Sequence, residues 1–239
     1  MKAPYGLDIC ENCQACTVRE QRLICNLPDR ALAEFNAAKF ATVYPKGAVL
    51  FVEGQQPMGV FVVCSGRVKL YGTSADGKTY VLQIAEPGDV LGLSAVVSGR
   101  ACEANAETLE PSHITMLKRA DFLRLLATHA EMSFRTSQLL ALTCHRAHRQ
   151  ASAIGLAQSA REKLARFLLD SCERAGETTD AGIRVRLLLT HAEIGEIIGT
   201  SRETVTRLLG QLRKEGVIAV RRSTIVVRDR DALTGNVHS

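Results

Sequence analysis

The sequence predicts an α+β chain built from a β-rich N-terminal part, one long helix and a small C-terminal part of helices and a hairpin. Three observations predict it. Between Ala41 and Leu117, short runs rich in Val, Ile, Leu and Tyr alternate with Gly, Pro and Asp turn residues, the pattern of a small sandwich or barrel. From Ala130 to Leu156 an apolar stripe recurs at spacings of four and three, as on a long helix. Thr190–Ile218 reads as two short helices joined by a tight turn. At 239 residues there is room for two modest domains, and 46% hydrophobic with 23% charged residues is the composition of a soluble globular protein.

Residues 1–27 hold four of the eight cysteines: Cys10, Cys13, Cys16 and Cys25. Pro28–Phe40 has the pattern of a helix, with Leu32, Phe35 and Phe40 as its apolar contacts. Strands are expected at Ala48–Val52, Val60–Cys64, Val68–Gly72, Tyr80–Ile84, Val90–Gly92 and His113–Leu117, with Asp76-Gly77 as a two-residue hairpin turn. Lys118–His129 is expected to be a short helix. On the long helix Leu140, Cys144, Ala147, Ala151 and Ile154 form a heptad seam flanked by His145, Arg146, His148 and Arg149. Packing within the chain would give the same stripe, but small residues in a narrow seam favour a partner helix, so a homodimer is expected. Gln158–Cys172 is a further helix, Glu177–Gly182 a polar loop and Val185–Leu189 a strand. The domain organisation is therefore a Cys-rich segment 1–27, a roll 28–129, a dimerisation helix 130–157 and a C-terminal domain 158–239.

No signal peptide, lipidation signal or membrane-length apolar run is visible, so a cytoplasmic location is expected. In that reducing compartment clustered cysteines point to metal, cluster or redox chemistry rather than disulfides. The net charge is +5. Between Ser201 and Arg230 there are eight Lys or Arg (202, 207, 213, 214, 221, 222, 228, 230) against three acids (203, 215, 229). This local excess of five puts the basic end at the C-terminus, where phosphate contacts would form.

In Thr190–Ile218, Thr190 with Glu193 makes a capping box, Gly199 ends the first helix, Ser201 caps the second and Gly216 stops it. Val205, Leu208, Leu209 and Leu212 share one face of the second helix; Arg202, Glu203, Thr206, Arg207, Arg213 and Lys214 share the other. A packed helix presenting Arg, Glu and Arg at its N-terminal end suits the major groove of DNA, where Arg donates to guanine and Glu accepts from cytosine. An ordinary helical hairpin with a solvated charged face is the plainer alternative. The segments Ala219–Arg222 and Thr224–Arg228 then form a hairpin wing.

Cys10, Cys13 and Cys16 follow a C-x2-C-x2-C spacing, with Cys25 after an eight-residue loop. Close thiolates on flexible backbone are what an iron–sulfur cluster requires. Zinc would accept four thiolates too, usually as two separated pairs.

A β-roll of double-stranded β-helix (jelly-roll) type, a long dimer helix and a C-terminal winged helix-turn-helix, in that order, resemble the CRP/FNR family of bacterial transcription regulators. The likeness runs from Phe40 to Arg230 and is carried by Val60–Val68 (VFVVCSGRV), Glu86–Gly92 (EPGDVLG) and Ile194–Leu209 (IGEIIGTSRETVTRLL). It implies a cyclic-nucleotide-binding-like sensor domain and RNA polymerase as a partner. The nucleotide elements themselves are missing: Leu93 and Ser94 follow Gly92 where the family carries a Glu, and Glu103 in the phosphate region would repel a phosphate. Cyclic nucleotide is not the expected effector. The N-terminal cysteines resemble the FNR branch, which carries an oxygen-labile 4Fe–4S cluster. Two departures stand out. The branch's third N-terminal spacing is shorter, falling near Arg22, and its fourth ligand aligns with Thr115. The expected ligands are therefore Cys10, Cys13, Cys16 and Cys25, with Cys102 in reserve; Cys64, Cys144 and Cys172 are expected as small buried apolar residues.

Arg202, Glu203 and Arg207 match the base-reading residues of the cyclic-AMP receptor's helix, with Thr206 beside them, whereas FNR lacks the first Arg. The resemblance implies a palindromic DNA target with TGTGA-like half-sites and tolerance of TTGAT-like ones. Ser201, Thr204, Arg222 and Thr224 are the expected phosphate contacts. The expected function is a homodimeric, non-enzymatic transcription regulator controlled by oxygen, nitric oxide or redox state. Its rivals are the same fold with zinc or haem, and a redox enzyme or electron carrier, for which no acid–base pair or nucleotide-binding glycine loop is present.

Overall fold

The computed structural model describes residues 4–7, 9, 10, 12–74, 77, 79–156, 159–187, 189–221 and 223–235, without the side chains of 149–156, 174, 175 and 234. The chain divides into two compact units, Met1–Arg146 and Ala147–Ser239.

In the first unit, three short 3-10 turns precede α1 (Asp29–Ala38), which buries Leu32 and Phe35. Strands β1 (Phe40–Tyr44), β2 (Val49–Phe51), β3 (Gly59–Ser65), β4 (Val68–Thr73), β5 (Thr79–Ala85) and β6 (Val90–Leu91) follow. After them come α2 (Leu93–Ser98), β7 (Asn105–Thr108), β8 (Ser112–Lys118) and α3 (Arg119–Thr128). Two antiparallel four-stranded sheets result, ordered β1-β8-β3-β6 and β2-β7-β4-β5. The pleat of β3 divides their work. Phe61 and Val63 point between the sheets, into a core with Leu50, Phe51, Val68, Leu91 and Ile114. Val60 and Val62 point the other way, into a core shared with Leu32 and Phe35 of α1 and Phe122 and Leu125 of α3. The same core takes Met132 from α4 (Ala130–Leu156), with Leu139 and Leu140 packed against it.

The expected strands are present to within a residue or two, and the long helix has its expected bounds. Several elements lie outside that reading. β7 carries Asn, Ala, Glu and Thr, too polar to announce itself, and β1 is an edge strand paired only with β8. α2 is a single six-residue helix between left-handed Gly92 and Gly99. β9 (Glu177–Thr179) replaces part of the expected polar loop because its backbone pairs with β10 (Gly182–Arg186). Phe40 is a correction: it begins β1 half exposed, with Lys118 over its ring, rather than packing from a helix. Of the Asp76-Gly77 turn, Asp76 lies outside the described residues.

The second unit packs α5 (Ala160–Ala175), α6 (His191–Ile198), α7 (Arg202–Lys214) and α8 (Arg230–Gly235) with a sheet ordered β11-β12-β10-β9. Here β11 is Ile218–Arg221 and β12 is Thr224–Val227. Its core runs through Leu164, Leu168, Val185, Ile194, Ile198, Val205, Leu208 and Leu212. The strand expected at Val185–Leu189 begins and ends three residues earlier, because Gly182–Arg186 is the stretch that bonds to β9 and β12.

Candidate functional site

The N-terminal thiols are positioned by α1. Cys13 lies in the 3-10 turn Cys13–Ala15, capped by Asn12. Its backbone N–H donates to Asn36 Oδ1 at 2.9 Å, and Lys39 Nζ donates to its sulfur at 3.1 Å. Cys16 is hydrogen-bonded to Cys10, whose thiol is pushed up by burial and then by Cys16 and Cys13. Cys25 closes a turn onto Arg22 O and packs, with Cys13, against the helix-covered core of the roll. Its thiol is pushed up to about 12, first by burial and then by neighbouring Cys64 and Cys13, against the pull of Arg22. The four expected cysteines are thus gathered on one side of the roll. Among the described residues no three His, Cys, Asp or Glu side chains close around a single point as one metal ion would require.

Two expectations about the other cysteines are corrected. Cys64 is half-buried rather than buried, against Thr115 of β8 with Oγ1 3.3 Å from its sulfur, and it is one of the groups that raise the Cys25 thiol. Cys144 is exposed on α4 rather than buried. Cys172 is buried in the second unit's core as expected. The reserve candidate Cys102 lies in the core between the sheets with Leu50 and Phe51, and the groups that shift its thiol include no cysteine. Of the seam residues, Leu140 is half-buried against its own unit's core, Cys144 and Ala147 are exposed, and the side chains of Ala151 and Ile154 lie outside the described residues.

In the second unit the helix-turn-helix forms as its caps dictate. Glu193 N donates to Thr190 Oγ1 at 3.2 Å and Thr190 N donates back to Glu193 Oε2 at 2.6 Å, completing the capping box. Gly199 ends α6 at a φ of 67°, and Ser201 Oγ accepts from Thr204 N at 3.2 Å to start α7. Val205, Leu208, Leu209 and Leu212 are buried; Arg202, Glu203, Thr206, Arg207, Arg213 and Lys214 are exposed. The Glu203 carboxyl is held below the usual range by hydrogen bonds to its own amide and to Ser201, so it stays an ionised acceptor. Thr206 Oγ1 donates to Arg202 O at 2.9 Å and meets His191 Nδ1 at 2.8 Å. Thr224 opens β12 at the wing; Arg222 lies outside the described residues.

This geometry can be set beside known proteins. A pattern for "Crp-like helix-turn-helix domain" matches residues 162–235, and one for "Cyclic nucleotide-binding domain" matches residues 41–129. The chain is 28% identical over 187 residues to the "Cyclic AMP receptor protein" of Thermus thermophilus, covering 78% of this chain and 83% of that one. It is 27% identical over 225 residues to the "Fumarate and nitrate reduction regulatory protein" of Salmonella typhi, covering 93% and 88%. The solved structure of FixK2 from Bradyrhizobium japonicum superposes with a TM-score of 0.72 at 25% identity, covering 82% and 96%. The chain carries both domains of a CRP/FNR regulator, in that family's order. It is a DNA-binding transcription regulator with that family's roll and helix-turn-helix. No described helix is long and apolar enough to cross a membrane.

In a CRP/FNR regulator the roll's cleft is the place to look for an effector. Here a cleft is lined by Leu91, Leu93, Ser94 and Glu103, with Leu140 and Arg146 from α4. Ser94 Oγ donates to Glu103 Oε1 at 2.8 Å, so a carboxylate already takes the hydroxyl, and Arg146 is paired with Asp89 at 3.3 Å. The sequence reading also missed Gly195. It lies where α6 meets the turn, and a Cβ there would stand 2.6 Å from Thr200 O. Only the turn's tight closure demands that glycine, and the helical pattern of α6 carries no sign of it.

Proposed function

We propose that this chain is a homodimeric regulator in the cytoplasm whose DNA affinity is set by an iron–sulfur cluster, of 4Fe–4S type, held by thiolates of the N-terminal group Cys10, Cys13, Cys16 and Cys25. At least three of these serve as ligands. One observation carries the reading: Cys13 and Cys25 pack on the same core that receives Met132, Leu139 and Leu140 of α4. A change at the thiols is therefore a change in what the long helix rests on. The donor set fits such a group, being all sulfur and bordered by the cations Lys39 and Arg22. When bound, the cluster supplies an inorganic core that oxygen, nitric oxide or another oxidant can dismantle. Asn36 and Lys39 hold Cys13 in place, and the half-buried surroundings limit solvent access to Cys25. Cyclic nucleotide is a poor fit for the cleft, because a phosphate there would face Glu103.

At the output end Arg202, Glu203, Thr206 and Arg207 read bases in TGTGA-like half-sites, with TTGAT-like ones tolerated, and Ser201, Thr204, Arg222 and Thr224 contact phosphates. The bound regulator then acts on RNA polymerase. The test is anaerobic purification with iron and acid-labile sulfide analysis, followed by binding to a palindromic half-site pair before and after exposure to air. The expected outcome is stoichiometric iron and sulfide and a change in DNA affinity of tenfold or more on their loss, about 1.4 kcal/mol. Zinc or haem in place of iron and sulfide, or equal DNA affinity in both states, would overturn it.

A further inference from the structure

Five thiols, not four, lie within one another's influence on one side of the roll, and the fifth comes from a strand. Cys64 is the last but one residue of β3, following Val60 and Val62, whose side chains enter the core on which Cys13 and Cys25 pack. Its sulfur lies 3.3 Å from Thr115 Oγ1 on the neighbouring strand β8, whose Leu117 enters the same core. The backbone connects Cys64 to Cys25 by a short route. Cys25 N donates to Arg22 O at 3.0 Å, so the two residues share one turn. The stem of Arg22 lies over Gly88, where an added Cβ would be 3.2 Å from Arg22 Cγ. Gly88 N in turn donates to Val63 O at 2.8 Å, and Val63 N to Asp89 O at 3.0 Å, beside Cys64. The Cys25 turn is therefore seated on the loop bonded to the residue next to Cys64.

We propose that Cys64 is a ligand of the iron–sulfur group, completing a set with Cys13, Cys16 and Cys25 and leaving Cys10 outside it. This rests on the cluster reading given above. The neighbourhoods of the thiols divide in that way. Cys25 is influenced by Cys64, Cys13 and Cys16, whereas the cysteines that bear on Cys10 are Cys16 and Cys13, with Lys39 beside them. Two half-buried cysteines could be plain apolar filling, but each also has other thiols and a cation beside it. Arg22 and Lys39 bear on Cys64, and Arg22 bears on Cys25, each offsetting part of the burial that pushes both thiols up. A ligand carried on a strand is also held more firmly than one on a flexible leader, and Thr115 supplies the polar neighbour that orients it.

The test loads full-length protein anaerobically with iron and sulfide and compares wild type, Cys64→Ser and Cys10→Ser. Expected are full iron and acid-labile sulfide in wild type and Cys10→Ser, and a loss of at least half of both in Cys64→Ser, with the thermal unfolding of the stripped proteins unchanged. Iodoacetamide labelling of loaded wild type, read by peptide mass, is the second measurement and needs no variant: Cys64 is expected to be protected and Cys10 modified. Full iron and sulfide in Cys64→Ser, or labelling of Cys64 with protection of Cys10, overturns the assignment while leaving the cluster reading intact. Wild type that takes up neither iron nor sulfide defeats the cluster reading itself, and this assignment with it.

Discussion

Glu203 shows how much one side chain decides at the output end. It is exposed at the first turn of α7, and its own amide and Ser201 hold its carboxyl below the usual carboxylate value. A depressed value means the group is charged at every pH above that range, so it accepts and never donates. Glu203→Gln is expected to relax discrimination at the cytosine it reads by about 1–3 kcal/mol, a factor of roughly 5 to 150, while nonspecific binding holds. Competition between half-sites differing only at that base, at fixed salt, is the measurement. In wild type the same discrimination is expected to stay flat from pH 7.5 down to about 5 and to fall only as the carboxylate protonates. Equal discrimination by the variant would remove Glu203 from the reading set. These residues were legible in the sequence because helical spacing alone sorts Arg202, Glu203 and Arg207 from Val205 and Leu208. Cys64 was not, since a cysteine inside an apolar strand looks like filling until its cross-strand neighbour is seen.

At the scale of elements, caps and periodicity were the readable signals, and pairing was the unreadable one. Thr190, Glu193, Gly199 and Ser201 fix the ends of α6 and α7 through bonds a few residues long, so their pattern survives in the sequence. β7 and β9 owe their existence to strands far away along the chain, and their own residues are polar. Gly195 belongs with the unreadable features. Its place is set by the turn folding back over α6, with Thr200 O at 2.6 Å from where a Cβ would sit. Alanine is ordinarily the better helix former, by about 1 kcal/mol over glycine. Here the clash reverses the sign, because the opposing atom is backbone and cannot rotate away. Gly195→Ala is expected to destabilise the second unit by about 1–3 kcal/mol, the usual range for overpacking. Thr190→Ala, which removes the cap, is expected to cost about 1 kcal/mol. Chemical denaturation of the two variants measures both, and a Gly195→Ala protein as stable as wild type would mean that the turn yields.

At the scale of the whole molecule, each unit has its own core, so each can be damaged separately. Phe35 is 2% exposed in the core that also carries Cys13, Cys25 and Met132. Phe35→Ala is expected to destabilise the first unit by about 3–5 kcal/mol and to leave the unfolding of the second, whose core is built of other residues, where it was. Calorimetry with separate transitions shows this; a joint shift would make the two a single cooperative body. The homodimer is tested on α4. The helix exposes Phe134 at 59% and Leu142 at 48%, large apolar groups that one chain leaves uncovered, and Cys144 is exposed as well. A two-fold seam brings a residue near the axis against its own copy, so one introduced charge meets a second of the same sign. Cys144→Glu is therefore expected to shift the protein from dimer to monomer in light scattering. With the dimer lost, preference for a palindrome over a single half-site should fall at least tenfold, because two recognition helices no longer bind as a unit. A Cys144→Glu protein that remains dimeric would move the seam along α4, and Phe134→Glu would then be the variant that separates the chains.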